Sequence, residues 1–306
     1  MIRIGTRGSP LALVQAGAVR DGLVAAHPDL AAEIVPIKTT GDQVQDRRLM
    51  EVGGKGLFTK EIEEALLDGR IDCAVHSMKD LETWLPEGLA IGAMLPREDA
   101  RDALIARTGA SIAELPQGAV VGTSSLRRQA QLLALRPDLK VVALRGNVET
   151  RLRKLAAGEA DATLLAVAGL KRLGMLDHAT AILDSDEILP AVGQGAIGVE
   201  IRGGDARMRG LLAALDHRAT TLCVAAERAC LAELDGSCHT PIAAHAELVD
   251  HGQTMRLRAL IALPDGTSVH RDESRGSAPE AIAIGRAAGQ RLKAAAEPAF
   301  FQKVTA

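Results

Sequence analysis

No tyrosine occurs among the 306 residues, and one tryptophan with three phenylalanines brings the aromatic content to 1%. That scarcity excludes a site built on aromatic stacking of sugars or unpaired bases, so any ligand must be held mainly by charge and hydrogen bonds. The four cysteines, Cys73, Cys223, Cys230 and Cys238, contain no C-x-x-C pair and no Cys/His cluster at metal-ligand spacing. A metal site and a disulfide framework are therefore not expected, and the thiols are expected to be reduced. No apolar run approaches the roughly 18 residues of a membrane span. Met1-Ile2-Arg3-Ile4 leads straight into a strand-like start without an apolar leader, and the expectation is a soluble cytoplasmic protein. The net charge of −3 offers no global attraction to nucleic acid or to anionic lipid.

What is present reads as globular. Hydrophobic residues make up 47% and charged residues 25%, and the length predicts about two domains with room for a smaller third. The basic residues are lopsided, with 27 Arg against 9 Lys. Arginine's planar fork suits carboxylate or phosphate ligands, but an Arg-rich genome produces the same bias, so position has to decide.

Two internal echoes organise the chain. Ile4 to Ser9 and Val120 to Ser125 each read as strand end, small-residue turn and helix start; Gly69-Arg70-Ile71-Asp72 and Gly158-Glu159-Ala160-Asp161 run into Leu81 and Leu170 at the same interval after the glycine. The pattern predicts two related α/β lobes with mainly parallel strands, helices on both faces and a cleft between them as the default ligand site. From about residue 218 the pattern changes to a helix, three strands separated by the turns Asp250-His251-Gly252 and Pro264-Asp265-Gly266, and a closing helix. This predicts a small C-terminal α+β domain.

Both echo turns put small polar residues where unpaired backbone N–H groups favour an anion, although Ser9, Ser124 and Ser125 also suit ordinary capping. Residues 123 to 172 hold ten basic and four acidic side chains, an excess of +6 in a chain of net −3. Arg127 and Arg128 follow one echo turn directly, and Arg145-Gly146-Asn147 follows an apolar strand, so the second lobe reads as a carboxylate or phosphate clamp. Val52-Gly53-Gly54-Lys55-Gly56-Leu57-Phe58 lacks the spacing of a phosphate loop and reads instead as a glycine-rich lid carrying Lys55 and Phe58. His76-Ser77-Met78-Lys79-Asp80 ends an apolar strand. Ser77 and Asp80 fit a capping box, or Asp80 is a carboxylate at the mouth of the cleft that stabilises a cation or passes a proton. Cys238 sits on the turn Asp235-Gly236-Ser237.

In this combination and order, Thr6-Arg7-Gly8-Ser9-Pro10-Leu11-Ala12-Leu13, the lid motif, His76 to Asp80, Gly122 to Arg128, Leu144 to Asn147, Leu189-Pro190-Ala191-Val192-Gly193-Gln194-Gly195 and Gly236-Ser237-Cys238 resemble the porphobilinogen deaminase (hydroxymethylbilane synthase) family over nearly the whole chain. The resemblance implies two lobes like those of periplasmic binding proteins plus a third domain. The implied boundaries are 1–97 with 196–214, then 98–195, then 215–306, the chain returning to the first lobe after the second. It implies a transferase of haem biosynthesis, a monomer with no nucleic-acid or membrane partner, that condenses four porphobilinogens with loss of ammonia. A dipyrromethane cofactor would be tethered by a thioether to Cys238, with Asp80 as catalytic carboxylate. Arg7, Ser9, Lys79, Thr123, Ser124, Ser125, Arg127, Arg128, Arg145, Gly146, Arg151, Arg172 and Gln194 match cofactor- or substrate-binding positions. Leu81-Glu82 stands where the family usually has Val-Pro, and Asp235 where glycine is common. A non-catalytic anion-binding module of the periplasmic type would share the two lobes, but does not account for the third domain and its turn cysteine.

Overall fold

The computed structural model describes residues 1–43, 58–234, 241–296 and 300; Lys55 of the expected lid and the turn carrying Cys238 lie outside them. In chain order the strands are β1 (Ile2–Arg7), β2 (Ala32–Ile37), β3 (Cys73–Ser77), β4 (Leu89–Met94), β5 (Asp102–Ala106), β6 (Val120–Gly122), β7 (Lys140–Val142), β8 (Ala162–Ala166), β9 (Ala181–Ile182), β10 (Ile197–Arg202), β11 (Ile242–Val249), β12 (Thr254–Ala262) and β13 (Val269–Ser277). The chain divides into two compact units, Met1–Glu98 with Gly195–Thr221, and Asp99–Gln194 with the chain from Leu222 onward. The first unit holds the sheet β2-β1-β3-β10-β4; the second holds β7-β6-β8-β5-β9 and the three-stranded β11-β12-β13.

The two five-stranded sheets repeat one plan. Across each, the first two pairings are parallel and the last two antiparallel. Four of the five strands in each sheet therefore run in one direction, in keeping with the expected mainly parallel strands, and one strand, β10 in the first sheet and β5 in the second, runs against them. Each of these two is reached directly from a strand of the other sheet, β9 or β4, with no helix between.

Both sequence echoes become structure. Gly69 (φ +70°) and Gly158 (φ +81°) end equivalent helices, Lys60–Leu67 and Val148–Ala156, in the left-handed conformation that glycine adopts without strain. The acid that follows each glycine bonds back to the neighbouring strand: Asp72 Oδ2 accepts from the Arg3 N–H and Asp161 Oδ2 from the Val120 N–H, both at 2.8 Å. At the other echo, Ser9 caps the helix Pro10–Ala26, accepting from the Ala12 N–H, and Ser125 caps Leu126–Leu135, accepting from the Arg128 N–H.

Alternation along the strands feeds cores on both faces of each sheet. In the first unit Ile2, Ile4, Val75 and Val199 meet Val19 and Leu23 of the helix Pro10–Ala26, while Ala74 packs with Ile62 and Leu66 of Lys60–Leu67 on the opposite side. In the second, Leu104 and Ala103 likewise join separate clusters. Each such fully buried Leu, Ile or Val contributes about 1.5–3 kcal/mol. The antiparallel C-terminal sheet lays Ala244, Met255, Leu257 and Ile261 against the helices Arg218–Glu233 and Ala281–Ala295, and its Ala243, Leu260 and Ala262 against Ala130 and Leu189. It is the smaller α+β domain expected from the change of pattern near residue 218.

Candidate functional site

In the first unit the carboxyl ends of β1 and β3 open onto a pocket lined by Arg7, Ser9, Gln15, His76, Ser77 and Asp80. Phe58 closes one side, and the Arg7 guanidinium carbon lies 4.2 Å from its ring centroid. Ser9 belongs to the capped turn, so the pocket contains a helix N-terminus together with an arginine, a combination that favours an anionic group. Asp80 is exposed on the short 3-10 turn Met78–Asp80 that ends β3. The capping-box reading of Ser77 and Asp80 is not realised. Ser77 makes no side-chain cap bond; its Oγ accepts from the Gln15 amide at 2.8 Å instead. A turn of three residues has too few unpaired N–H groups to need a capping box, and Ser77 is turned toward the helix Pro10–Ala26.

His76 joins this pocket to the interior. Its Nε2 lies 3.0 Å from Oε2 of Glu200, which is 0% exposed on β10. Glu63, buried on the neighbouring helix Lys60–Leu67, has its carboxyl pushed up by burial and then by the charge of Glu200.

The second unit gathers several predicted residues around one buried acid. Asp102 receives Arg127 through Oδ2 and Arg128 through Oδ1, each at 2.7 Å, and the Gln194 amide at 2.9 Å. The outer nitrogens of the two arginines donate on to the Leu189 and Leu164 carbonyls. Burial alone would raise the Asp102 carboxyl, but the charges of Arg127 and Arg128 outweigh it and hold the group far below the usual carboxylate range. These two arginines, expected in a carboxylate or phosphate clamp, are interior residues with a protein carboxylate, Asp102, as counter-ion. Thr123 accepts from the Ser125 N–H, and Ser124 donates to the Leu144 carbonyl. Arg145 and Arg151 are half-buried around the cap of the helix Val148–Ala156, where Asn147 accepts from the Thr150 N–H and Arg151 Nε donates to the Gly146 carbonyl. Lys79 and Arg172 are half-buried as well.

Sequence reasoning missed Gln15, Asp102 and Glu200. Two of them carried a readable signal: Glu200 interrupts Ile197-Gly198-Val199, and Asp102 opens Ala103-Leu104-Ile105, so each is a lone acid in an apolar strand. Gln15 looks like any polar helix residue until the fold brings Ser77 beside it.

An exposed acid at a strand end, beside an arginine and a capped turn that favours an anion, gives this α/β fold a pocket suited to an organic anion. The family model for the porphobilinogen deaminase dipyromethane cofactor binding domain matches residues 2–210, and the model for the porphobilinogen deaminase C-terminal domain matches residues 221–294. Similar proteins include the chloroplastic porphobilinogen deaminase of Oryza sativa subsp. japonica, 56% identical over 99% of this chain and 86% of its own. The porphobilinogen deaminase of Paracoccus denitrificans is 59% identical over 98% and 96%, and that of Nitrobacter hamburgensis 56% over 97% and 94%. The chain belongs to the porphobilinogen deaminase family and is a transferase. Among the described residues no helix is long and apolar enough to cross a membrane.

Proposed function

We propose that this enzyme joins four porphobilinogen molecules head to tail into hydroxymethylbilane, releasing one ammonia at each step, and that Asp80 is its catalytic carboxylate. The position of Asp80 carries the reading: an exposed acid on a tight turn at the end of a buried strand, in the pocket that holds Arg7 and the Ser9 cap. A carboxylate there opposes the positive charge left on the pyrrole as ammonia departs, and accepts the ring proton lost when the new carbon–carbon bond forms. Arg7 and the Ser9 turn suit the acetate and propionate arms of the substrate. The enzyme is read as a cytoplasmic monomer with small-molecule ligands, and its domains as 1–97 with 196–214, 98–195 and 215–306.

A dipyrromethane fits the donor set on this chain. Its carboxylates call for guanidinium, hydroxyl and backbone N–H donors, and the capped turns at Ser9, Ser125 and Asn147 offer them beside arginines. Buried Nε atoms of Arg127 and Arg128 are donors without a hydrogen-bond partner among the described residues. When bound, the group supplies the pyrrole carbon to which the first substrate is joined. Lys79, Thr123, Ser124, Ser125, Arg145, Gly146, Arg151, Arg172 and Gln194 would hold it, Lys55 and Phe58 would cover it, and Cys238 would anchor it. Thiol chemistry supports Cys238: Cys73, Cys223 and Cys230 are buried, and burial pushes the thiols of Cys73 and Cys230 up to about 12, away from the reactive thiolate.

Intact mass and turnover test the reading together. The purified enzyme should exceed the mass of the bare chain by two pyrrole units, and Cys238→Ser should remove that excess. Asp80→Asn should lower turnover at least about a hundredfold, with Asp80→Glu retaining part of it. A bare-chain mass in active enzyme, or wild-type turnover by Asp80→Asn, would refute the assignment.

A further inference from the structure

We propose that His76, held by the buried carboxylate of Glu200, is the second proton-handling residue of the pocket and passes on the proton that Asp80 takes up at each condensation. This rests on the reading of Asp80 given above and adds to it a route out of the site.

The geometry is that of a bridge. His76 lines the pocket with Asp80, yet its imidazole is buried and its Nε2 lies 3.0 Å from Glu200 Oε2. In the sheet His76 pairs with Gly198 of β10, so Glu200, two residues further along, lies on the same face. Glu200 is wholly buried, within electrostatic reach of the buried Glu63 carboxyl, and its other oxygen, Oε1, has no hydrogen-bond partner among the described residues. A carboxylate in that setting is costly unless a donor or a cation faces it, and the His76 ring is the group that faces it. The charged groups around the pair are Arg7 on β1, Glu63 on the helix Lys60–Leu67, and Asp80 and Glu82 after β3.

A purely structural need at this strand has another solution in the same molecule. Asp102, on the equivalent strand of the second sheet, is neutralised by two arginines, which stay protonated at every physiological pH. Imidazole is the side chain that exchanges its proton near neutrality. Choosing it where the buried acid adjoins the pocket puts an exchangeable proton in the cavity that Asp80 also lines.

The accounting of bonds is complete with these residues. As each porphobilinogen is added, its carbon–nitrogen bond breaks and ammonia leaves, a carbon–carbon bond forms to the acceptor pyrrole, and that ring carbon loses its proton. The proton passes to the Asp80 carboxylate, then to the imidazole of His76, whose charge Glu200 balances, and finally to solvent or to the departing ammonia. Asp80 is again a carboxylate and His76 again neutral.

The test uses the cofactor-loaded enzyme with porphobilinogen. His76→Gln should load normally by mass, keep KM within about threefold, lower kcat by about a hundredfold and remove one limb of the pH–rate profile. Glu200→Gln, which keeps shape, should displace that limb, because the ring then faces a neutral amide in place of a carboxylate. The same displacement should appear in the His76 titration followed by NMR without substrate. Unchanged kcat and pH profile in His76→Gln would overturn the proposal. So would a loss of kcat with the wild-type limb still in place, which would make His76 a packing residue. Wild-type turnover by Asp80→Asn would instead bring down the reading of Asp80, while the NMR titration reports on the Glu200–His76 coupling independently.

Discussion

Two sheets with the same strand order each carry one wholly buried acid on the fourth strand, Glu200 on β10 and Asp102 on β5, and satisfy it differently. Asp102 lies at the strand end, paired with Ala166, and collects Arg127, Arg128 and Gln194. Glu200 lies deeper, paired with Ala74, and meets a histidine that also lines a pocket. The first arrangement sets two guanidinium groups against its acid; the second sets a single imidazole there. Repeating a fold therefore did not repeat its electrostatics: one copy of the plan locks an arginine pair in place, and the other joins a buried carboxylate to a histidine that lines a pocket.

The strongest way to break this contrast is to remove the permanent cluster. Asp102→Ala leaves two buried guanidinium groups without a counter-ion and should cost about 3–5 kcal/mol, read as a lower urea midpoint at unchanged slope. Because the Asp102 carboxyl is held below its unfolded value, its contribution is fully present above about pH 4 and is lost as the pH falls through the depressed value. A loss below about 1 kcal/mol at pH 7 would mean that the arginines find other partners and the cluster is not a lock.

Equivalence of the two plans is sharpened by their caps. Ser9 and Ser125 each accept a helix N–H at 3.4 Å, so Ser9→Ala and Ser125→Ala should each lose about 1 kcal/mol of stability. A large difference between them in urea unfolding would show that one cap has a duty beyond its helix. The smallest expected effect belongs to the side that holds Glu200. Glu63 has its carboxyl raised by burial and by Glu200, so what it contributes is present below its unfolded value, near pH 4, and lost as the pH rises through the raised one. Glu63→Gln should raise the urea midpoint at pH 8 and leave it unchanged at pH 4; the opposite pattern would mean that Glu63 is ionised and paired in the fold.

Legibility in the sequence followed the range of the physics involved. The echo of Gly69 to Asp72 in Gly158 to Asp161 was readable because a left-handed glycine and a short acid at a strand start are local devices, and both copies bond back at the same distance. The C-terminal hairpins were readable for the same reason, from their turn residues. The sense of β5 and β10 was not, because strand direction depends on which neighbour the chain reaches, a choice made over a hundred residues rather than ten. The capping-box signal at Ser77 misled because a local pattern competed with Gln15, a partner 62 positions away.

Sequence alone determined the family and the α/β class, since these rest on residue type, spacing and local conformation. Tertiary structure decided which charges are exposed and which are interior. Arg127 and Arg128 look in the sequence like any arginine pair beside an anion turn, and only the fold brings Asp102 to them. His76 looks like a strand residue, and only the return of β10 sets Glu200 behind it. Charge–charge energies depend on distance and on exclusion of water, and both are created when segments far apart in the chain pack together.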